Sequence, residues 1–170
     1  LVGEPEIRLA QTDEVDAAHN LMLSTARWLE EKGAALWLSE ELNAEDTRQC
    51  AARNELVLAV EGTSVVGIMR REWEDPVFWP EAKRGEAAYL HRLAVARTHA
   101  GTGLSQALVR WAIADARRRE LAFLRHDCEP RPALIRFYSS LGFSRIDTFA
   151  TGKFTVVRWQ MDISLNQDKK

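Results

Sequence analysis

The segment YLHRLAVARTHAGTGLSQALVRWA, Tyr89 to Ala112, joins an apolar run to a helical pattern through Gly101 and Gly103. Glycine adopts positive φ readily and lets a partner approach the backbone, at an entropic cost. A helix start presents N–H groups with no intrahelical acceptor, at the positive end of the helix dipole. Glycines at such a junction therefore suit an anion, typically a phosphate. Two familiar phosphate loops do not fit. A P-loop needs Gly-Lys-Ser/Thr, whereas Gly103 is followed by Leu104 and Ser105. A dinucleotide fingerprint needs a third small residue in an early βαβ unit; here Gln106 stands in that place, late in the chain. Taken alone, the two glycines also read as an ordinary strand-to-helix turn.

The elements that would position this junction follow from periodicity. Ile7 and Leu9 lie on a short first strand. Thr12 or Asp13 caps a helix with Val15, Ala18, Leu21, Met22 and Leu29 on one stripe, broken by Gly33. A second helical stretch is expected from about Ala35 to Ala52. Glu55–Gly62 and Thr63–Trp73 form a hairpin turning at Glu61–Gly62–Thr63. Glu74–Glu86 is a loop, and AAYLHRLAV is the next strand. The helix after the glycines carries Leu104, Ala107, Leu108, Trp111 and Ala112 at helical spacing and ends at Arg117–Arg118–Arg119. That arginine run suits a solvated helix end better than a nucleic-acid patch. Leu121–Cys128 is a strand. Pro132 to Gly142 is a helix with proline at its start and glycine at its end. FSRIDTFAT and KFTVVRWQMDI are closing strands. The order β-α-α-β-β-β-α-β-α-β-β gives an α/β (α+β) fold with a mixed, mostly antiparallel sheet flanked by helices; the unit Tyr89–Cys128 implies one parallel pair.

A chain of 170 residues with 46% hydrophobic content can bury one sizeable core, and a single domain over 1–170 is expected. A net charge of -2 gives no general attraction to nucleic acid or an anionic membrane. No apolar run is long enough to cross a bilayer. LVGEPEIRL lacks the basic and apolar segments of a signal peptide. Cys50 and Cys128 are far apart, without metal-ligand spacing. Together these lead to the expectation of a cytoplasmic protein with no disulfide framework. The polar tail NQDKK is expected to fray.

A second constellation narrows the reading. Tyr138-Ser139-Ser140-Leu141-Gly142-Phe143 closes the second strand–helix unit. With the element order and the stretch Ala100-Gly101-Thr102-Gly103-Leu104-Ser105, it resembles the GNAT superfamily of acyl-CoA-dependent N-acyltransferases. The family's phosphate motif is usually Gln/Arg-x-x-Gly-x-Gly/Ala, and its later motif is often an Asn followed by Tyr-x-x-x-Gly-Phe. Three departures are visible: Ala100 replaces Gln/Arg, Ser105 replaces Gly/Ala, and Arg131 lies where Asn is frequent.

The resemblance implies acetyl-CoA as co-substrate; His19, His99 and His126 show no metal-ligand pattern, and no metal is expected. Leu93, Ala94 and Val95 would line the acetyl–pantetheine arm. Ala100, Gly101, Thr102, Gly103, Leu104 and Ser105 would hold the pyrophosphate. Arg131, Phe137 and Tyr138 would complete the cofactor site. It implies that Tyr138 protonates the departing thiolate; the other reading is an amphipathic core tyrosine. The arylalkylamine N-acetyltransferases of this superfamily carry two histidines, two apart, on the matching strand, of which this chain keeps His91 and has Tyr89 at the other place. His91 is thereby a candidate base, and a structural histidine otherwise. Glu86 is a weaker alternative. By strand alternation Tyr89, His91, Leu93 and Val95 share a face. Trp28, Trp37, Tyr89 and Trp79 are candidate acceptor-site residues, and Asp75, Glu40 and Glu41 could draw in a cationic amine. The expected activity is acetyl transfer to a primary amine on a small molecule, by direct attack in a ternary complex. The alternatives are a catalytically silent acyl-CoA-binding regulator or a protein/peptide N-acetyltransferase. Neither nucleic acid nor membrane is an expected partner, and the resemblance allows a homodimer.

Overall fold

The computed structural model describes residues 3–164; the tail NQDKK lies outside them. The elements are β1 (Glu6–Leu9), α1 (Val15–Glu31), α2 (Ala44–Ala52), β2 (Leu56–Glu61), β3 (Ser64–Glu72), β4 (Ala87–Val95), α3 (Leu104–Arg118), β5 (Phe123–Cys128), α4 (Pro132–Ser140), β6 (Ser144–Ala150) and β7 (Thr155–Asp162). The order is the one read from the sequence. The strands form a seven-stranded sheet in the order β1-β2-β3-β4-β5-β7-β6. β4 and β5 pair in parallel. The pairs β1–β2, β2–β3, β5–β7 and β6–β7 are antiparallel. No helix among the described residues is long and apolar enough to cross a membrane.

The chain divides into two compact units. The first takes the chain up to Arg71 together with Arg92–Trp111. Its core sets Ala18 and Met22 of α1 and Cys50 of α2 against Leu56, Leu58 and Val60, the alternate residues of β2. Gly67 on β3 is a close-packing glycine: a Cβ there would lie 3.0 Å from Leu108 Cδ1 of α3 and 3.1 Å from the Ala59 Cβ. Gly33 ends α1 with φ +65°, and Ala34 N–H donates back to Leu29 O at 2.9 Å.

The second helix is shorter than its sequence suggests. Glu30 accepts from the Ser39 N–H at 2.6 Å and from its hydroxyl at 2.9 Å. Those bonds tie down a 3₁₀ turn at Ser39–Glu41, and α2 starts only where Asn43 Oδ1 accepts the Glu45 N–H at 2.8 Å.

The second unit is Glu72–His91 together with the chain from Ala112. The guanidiniums of Arg125 and Arg158 lie over the Trp79 ring, at 4.7 and 4.6 Å from its centroid. Each is ion-paired: Arg125 with Glu86 at 2.7 Å, and Arg158 with Glu81 and Asp147, both at 2.6 Å. Buried guanidiniums require such partners, since an unpaired buried charge is strongly destabilising. α4 opens with Pro132 and closes at Gly142, whose φ is +92°. The arginine run meets its own helix: Arg118 and Arg119 both pair with Asp115 at 3.0 Å, and Arg119 lies over Trp73.

Candidate active site

Unit one carries the glycine junction. Arg92 has φ +53°, a left-handed residue inside β4. This breaks the simple alternation expected from Tyr89 to Val95, so the shared face read for those four residues does not extend across Arg92. Leu93, Ala94 and Val95 follow it on β4, and the Ala96 N–H donates to Val66 O at 2.8 Å. A 3₁₀ turn at Arg97–His99 leads into Ala100, Gly101 (φ +76°), Thr102 and Gly103 (φ +88°), and α3 starts at Leu104 and Ser105. Both glycines are left-handed, and a Cβ on either would meet nothing within 4 Å. Conformation rather than crowding inside the protein requires them, and open space lies beside the turn. Trp28 carries the Arg97 guanidinium over its ring at 3.7 Å, and Trp37 carries that of Arg92 at 5.3 Å.

Unit two carries a cluster of titratable groups at the end of the parallel pairing. The β4–β5 register runs from Ala87↔Phe123 to Leu90↔His126. Asp127 and Cys128 continue β5, paired with Arg158 and Val157 of β7. His91, the next residue of β4, has a carboxylate at each ring nitrogen. Asp75 Oδ2 lies 3.3 Å and Glu72 Oε2 3.8 Å from Nε2, while Asp127 Oδ1 lies 3.8 Å from Nδ1. Asp75 is fixed by its own loop: its Oδ1 accepts the Phe78 N–H at 3.0 Å, which aims Oδ2 at the imidazole. Burial alone would lower the His91 pKa; the contact with Asp75, then Glu72 and Asp127, outweighs it and raises the value. Burial pushes the Asp127 carboxyl up to about 6, against the pull of His91. The His91 side chain remains 21% exposed, so it is reachable from outside.

Tyr138 of α4 is buried, with its ring 3.7 Å from that of His126 and Phe137 and Phe143 set edge-on. Burial, with Cys128 and Asp127 nearby, raises its pKa, so the phenol holds its proton. His126 lies 3.2 Å from Leu90 O through Nδ1; a carbonyl only accepts, so Nδ1 carries the proton. Burial lowers the His126 pKa to about 3, and it stays neutral. Cys128 Sγ accepts from the Trp159 indole at 3.3 Å, and burial raises its pKa, which suits a packed thiol rather than a nucleophile.

Tyr89 is buried against Trp79, and its hydroxyl accepts from Arg125 at 3.2 Å. Glu86 is held below the usual carboxylate range by its hydrogen bond with Arg125, which makes it a poor base. Arg131 immediately precedes α4, without a side-chain capping bond, and pairs with Glu129 at 2.7 Å. A cavity of about 210 Å³ in this unit is lined by Trp73, Asp75, Trp79, Lys83, Arg84 and Tyr89. Glu40 and Glu41 lie in the other unit, on the 3₁₀ turn at Ser39–Glu41.

The sequence marks neither Glu72 nor Asp127, and offers Asp75 only as a residue that could draw in a cationic amine. For Asp127 the signal is register: if Leu90 faces His126, then His91 and Asp127 are the next residues on their strands; Glu72 and Asp75 carry no such signal. Donor atoms of Asp75, His91 and Asp127 lie within 4.8 Å of one another, near enough to share a cation.

Residues 18–143 match the Acetyltransferase (GNAT) family. The chain belongs to the GNAT acetyltransferase family. GNAT membership makes it an acyltransferase, and the order of its elements is that of the superfamily it was seen to resemble. The chain is 26% identical over 148 residues to the uncharacterized N-acetyltransferase YesJ of Bacillus subtilis (strain 168), covering 82% of each chain. Among solved structures, it is similar to a GNAT-family acetyltransferase from Listeria monocytogenes, with a TM-score of 0.74 and 24% identity over 95% of this chain and 98% of the other. It is also similar to the putative acetyltransferase yncA of Salmonella typhimurium, solved with its cofactor acetyl-CoA. There the TM-score is 0.71 and the identity 18%, covering 95% of each chain.

Proposed function

We propose that this GNAT protein transfers the acetyl group of acetyl-CoA to a primary amine on a small molecule, by direct attack in a ternary complex, its two units serving one catalytic domain. The observation that carries the reading is His91, reachable from outside and faced by a carboxylate at each ring nitrogen, in the same unit as the buried phenol of Tyr138. The similar Salmonella structure, which holds acetyl-CoA, supports the choice of donor.

The backbone N–H groups from Gly101 to Ser105 take the pyrophosphate, with Ala100 at the turn's edge. Leu93, Ala94 and Val95 border the acyl arm, and the Val95 N–H meets the thioester oxygen as it gains charge. Arg131 and Phe137 flank the cofactor at α4. His91 takes a proton from the acceptor's ammonium, which frees a lone pair on nitrogen. The C–N bond forms, the C–S bond breaks, and the departing sulfur receives the Tyr138 proton; the amide nitrogen gives up its second proton, which restores the phenol, and His91 releases its own proton to solvent. No acyl-enzyme is needed, and the buried, high-pKa thiol of Cys128 suits none. Cys50 and Cys128 are buried free thiols, as a reducing cytoplasm would keep them.

Calorimetric titration with acetyl-CoA, beside dephospho-CoA and NAD, tests the donor site. Saturable binding of acetyl-CoA, and none of NAD, is expected. No acetyl-CoA binding at millimolar concentration would sink the assignment.

A further inference from the structure

Three carboxylates converge on the His91 ring. Asp75 and Asp127 face opposite nitrogens of one imidazole, and Glu72 adds a third carboxylate at Nε2. As an imidazolium, His91 leaves the two aspartates with a surplus negative charge; in the neutral form needed of a base, it leaves two. Asp75 Oδ2 and Asp127 Oδ1 are buried atoms without a hydrogen bond, and the Asp75 side chain is only 6% exposed. Buried carboxylate oxygens in that state call for a cation with protons to donate. The two guanidiniums over Trp79 are committed elsewhere, Arg125 to Glu86 and Gln160 and Arg158 to Asp147 and Glu81; Arg84, on the cavity wall, pairs with Glu74 at 2.8 Å, and Lys83 lines the cavity beside it.

We infer that the acceptor is a compact alkylamine, bound as its ammonium ion among Asp75, Asp127 and Glu72, and that acceptors with a carboxylate beside the reacting nitrogen are rejected. This rests on the acetyl-transfer reading above and narrows it. A carboxylate on the carbon bearing the amine would be brought against the nearly buried carboxylates of Asp75 and Asp127, which costs heavily at such range. The same carboxylates raise the basicity of the bound amine and of His91 together, so they do not by themselves widen the gap that proton transfer must cross. Asp75 also lies on the wall of the 210 Å³ cavity with Trp73, Trp79 and Tyr89, and those rings suit an apolar body behind the ammonium.

The test is thiol release from acetyl-CoA with matched acceptors: phenethylamine against phenylalanine, tryptamine against tryptophan, isoamylamine against leucine. The expected kcat/KM favours each amine over its amino acid by about 100-fold or more. Asp75→Asn should cut kcat/KM for the amines at least about ten-fold while leaving acetyl-CoA binding and the melting temperature near wild type. Amino acids used as well as the amines, or better, would overturn the inference and leave acetyl transfer standing. Acetyl-CoA binding with no transfer to any member of the panel would overturn both.

Discussion

His91 and Tyr138 were legible as single residues, because a histidine on the strand before the glycine turn and a tyrosine before Leu-Gly-Phe are visible in the chain itself. Their environment was not. What sets the His91 pKa comes from β3, from the following loop and from β5, and only folding brings these together. A pH profile reads that environment. A base works deprotonated, and the pKa of His91, the base proposed above, is raised, so log kcat/KM for the amine should climb with pH and level off only above the ordinary histidine value of 6.5. Asp127→Asn removes a carboxylate and should shift that limb to lower pH. Because Asp127 itself titrates near 6, the apparent values belong to the cluster. An unshifted limb in Asp127→Asn would separate Asp127 from the base.

At the scale of elements, the glycine turn was read correctly as left-handed backbone at a helix start, because glycine spacing is a local signal. Two local readings failed for reasons outside the local sequence. α2 begins at Ala44 because Glu30, from the previous helix, holds Ser39. The alternation along β4 stops at Arg92, whose φ of +53° no periodicity announces. The turn also gives a gain-of-function prediction. Ala100 stands where the family usually has Gln or Arg, so Ala100→Arg should lower the KM for acetyl-CoA by about three- to ten-fold through one added charge-assisted contact, with kcat little changed. Gly67 tests packing instead. Gly67→Ala sets a Cβ about 3 Å from Leu108 and Ala59 and should cost about 1–3 kcal/mol in chemical denaturation. A variant as stable as wild type would show that β3 and α3 have slack there.

For the whole molecule, element order was legible because each strand and helix announces itself locally. That β7 lies between β5 and β6 was not, since strand order is settled by contacts far apart in sequence. The acid response of the fold follows from His126. Burial holds its folded pKa at about 3, well below the unfolded value. Between those values the unfolded chain binds the extra proton, so this contribution is fully present above pH 6.5 and is lost as pH falls toward 3. Asp127, with its folded pKa raised to about 6, acts in the opposite sense within part of that window. The comparison must therefore be differential: His126→Gln should flatten the fall in melting temperature between about pH 6 and pH 4 relative to wild type. Parallel curves would mean that His126 is not buried neutral.

The most direct test of the account is steady-state acetyl transfer to phenethylamine by wild type, His91→Gln and Tyr138→Phe, with acetyl-CoA binding measured on the same preparations. The account predicts that both variants bind acetyl-CoA as wild type does and lose about 100-fold or more in kcat. Wild-type turnover in both variants, with cofactor binding intact, would contradict the assignment of base and acid.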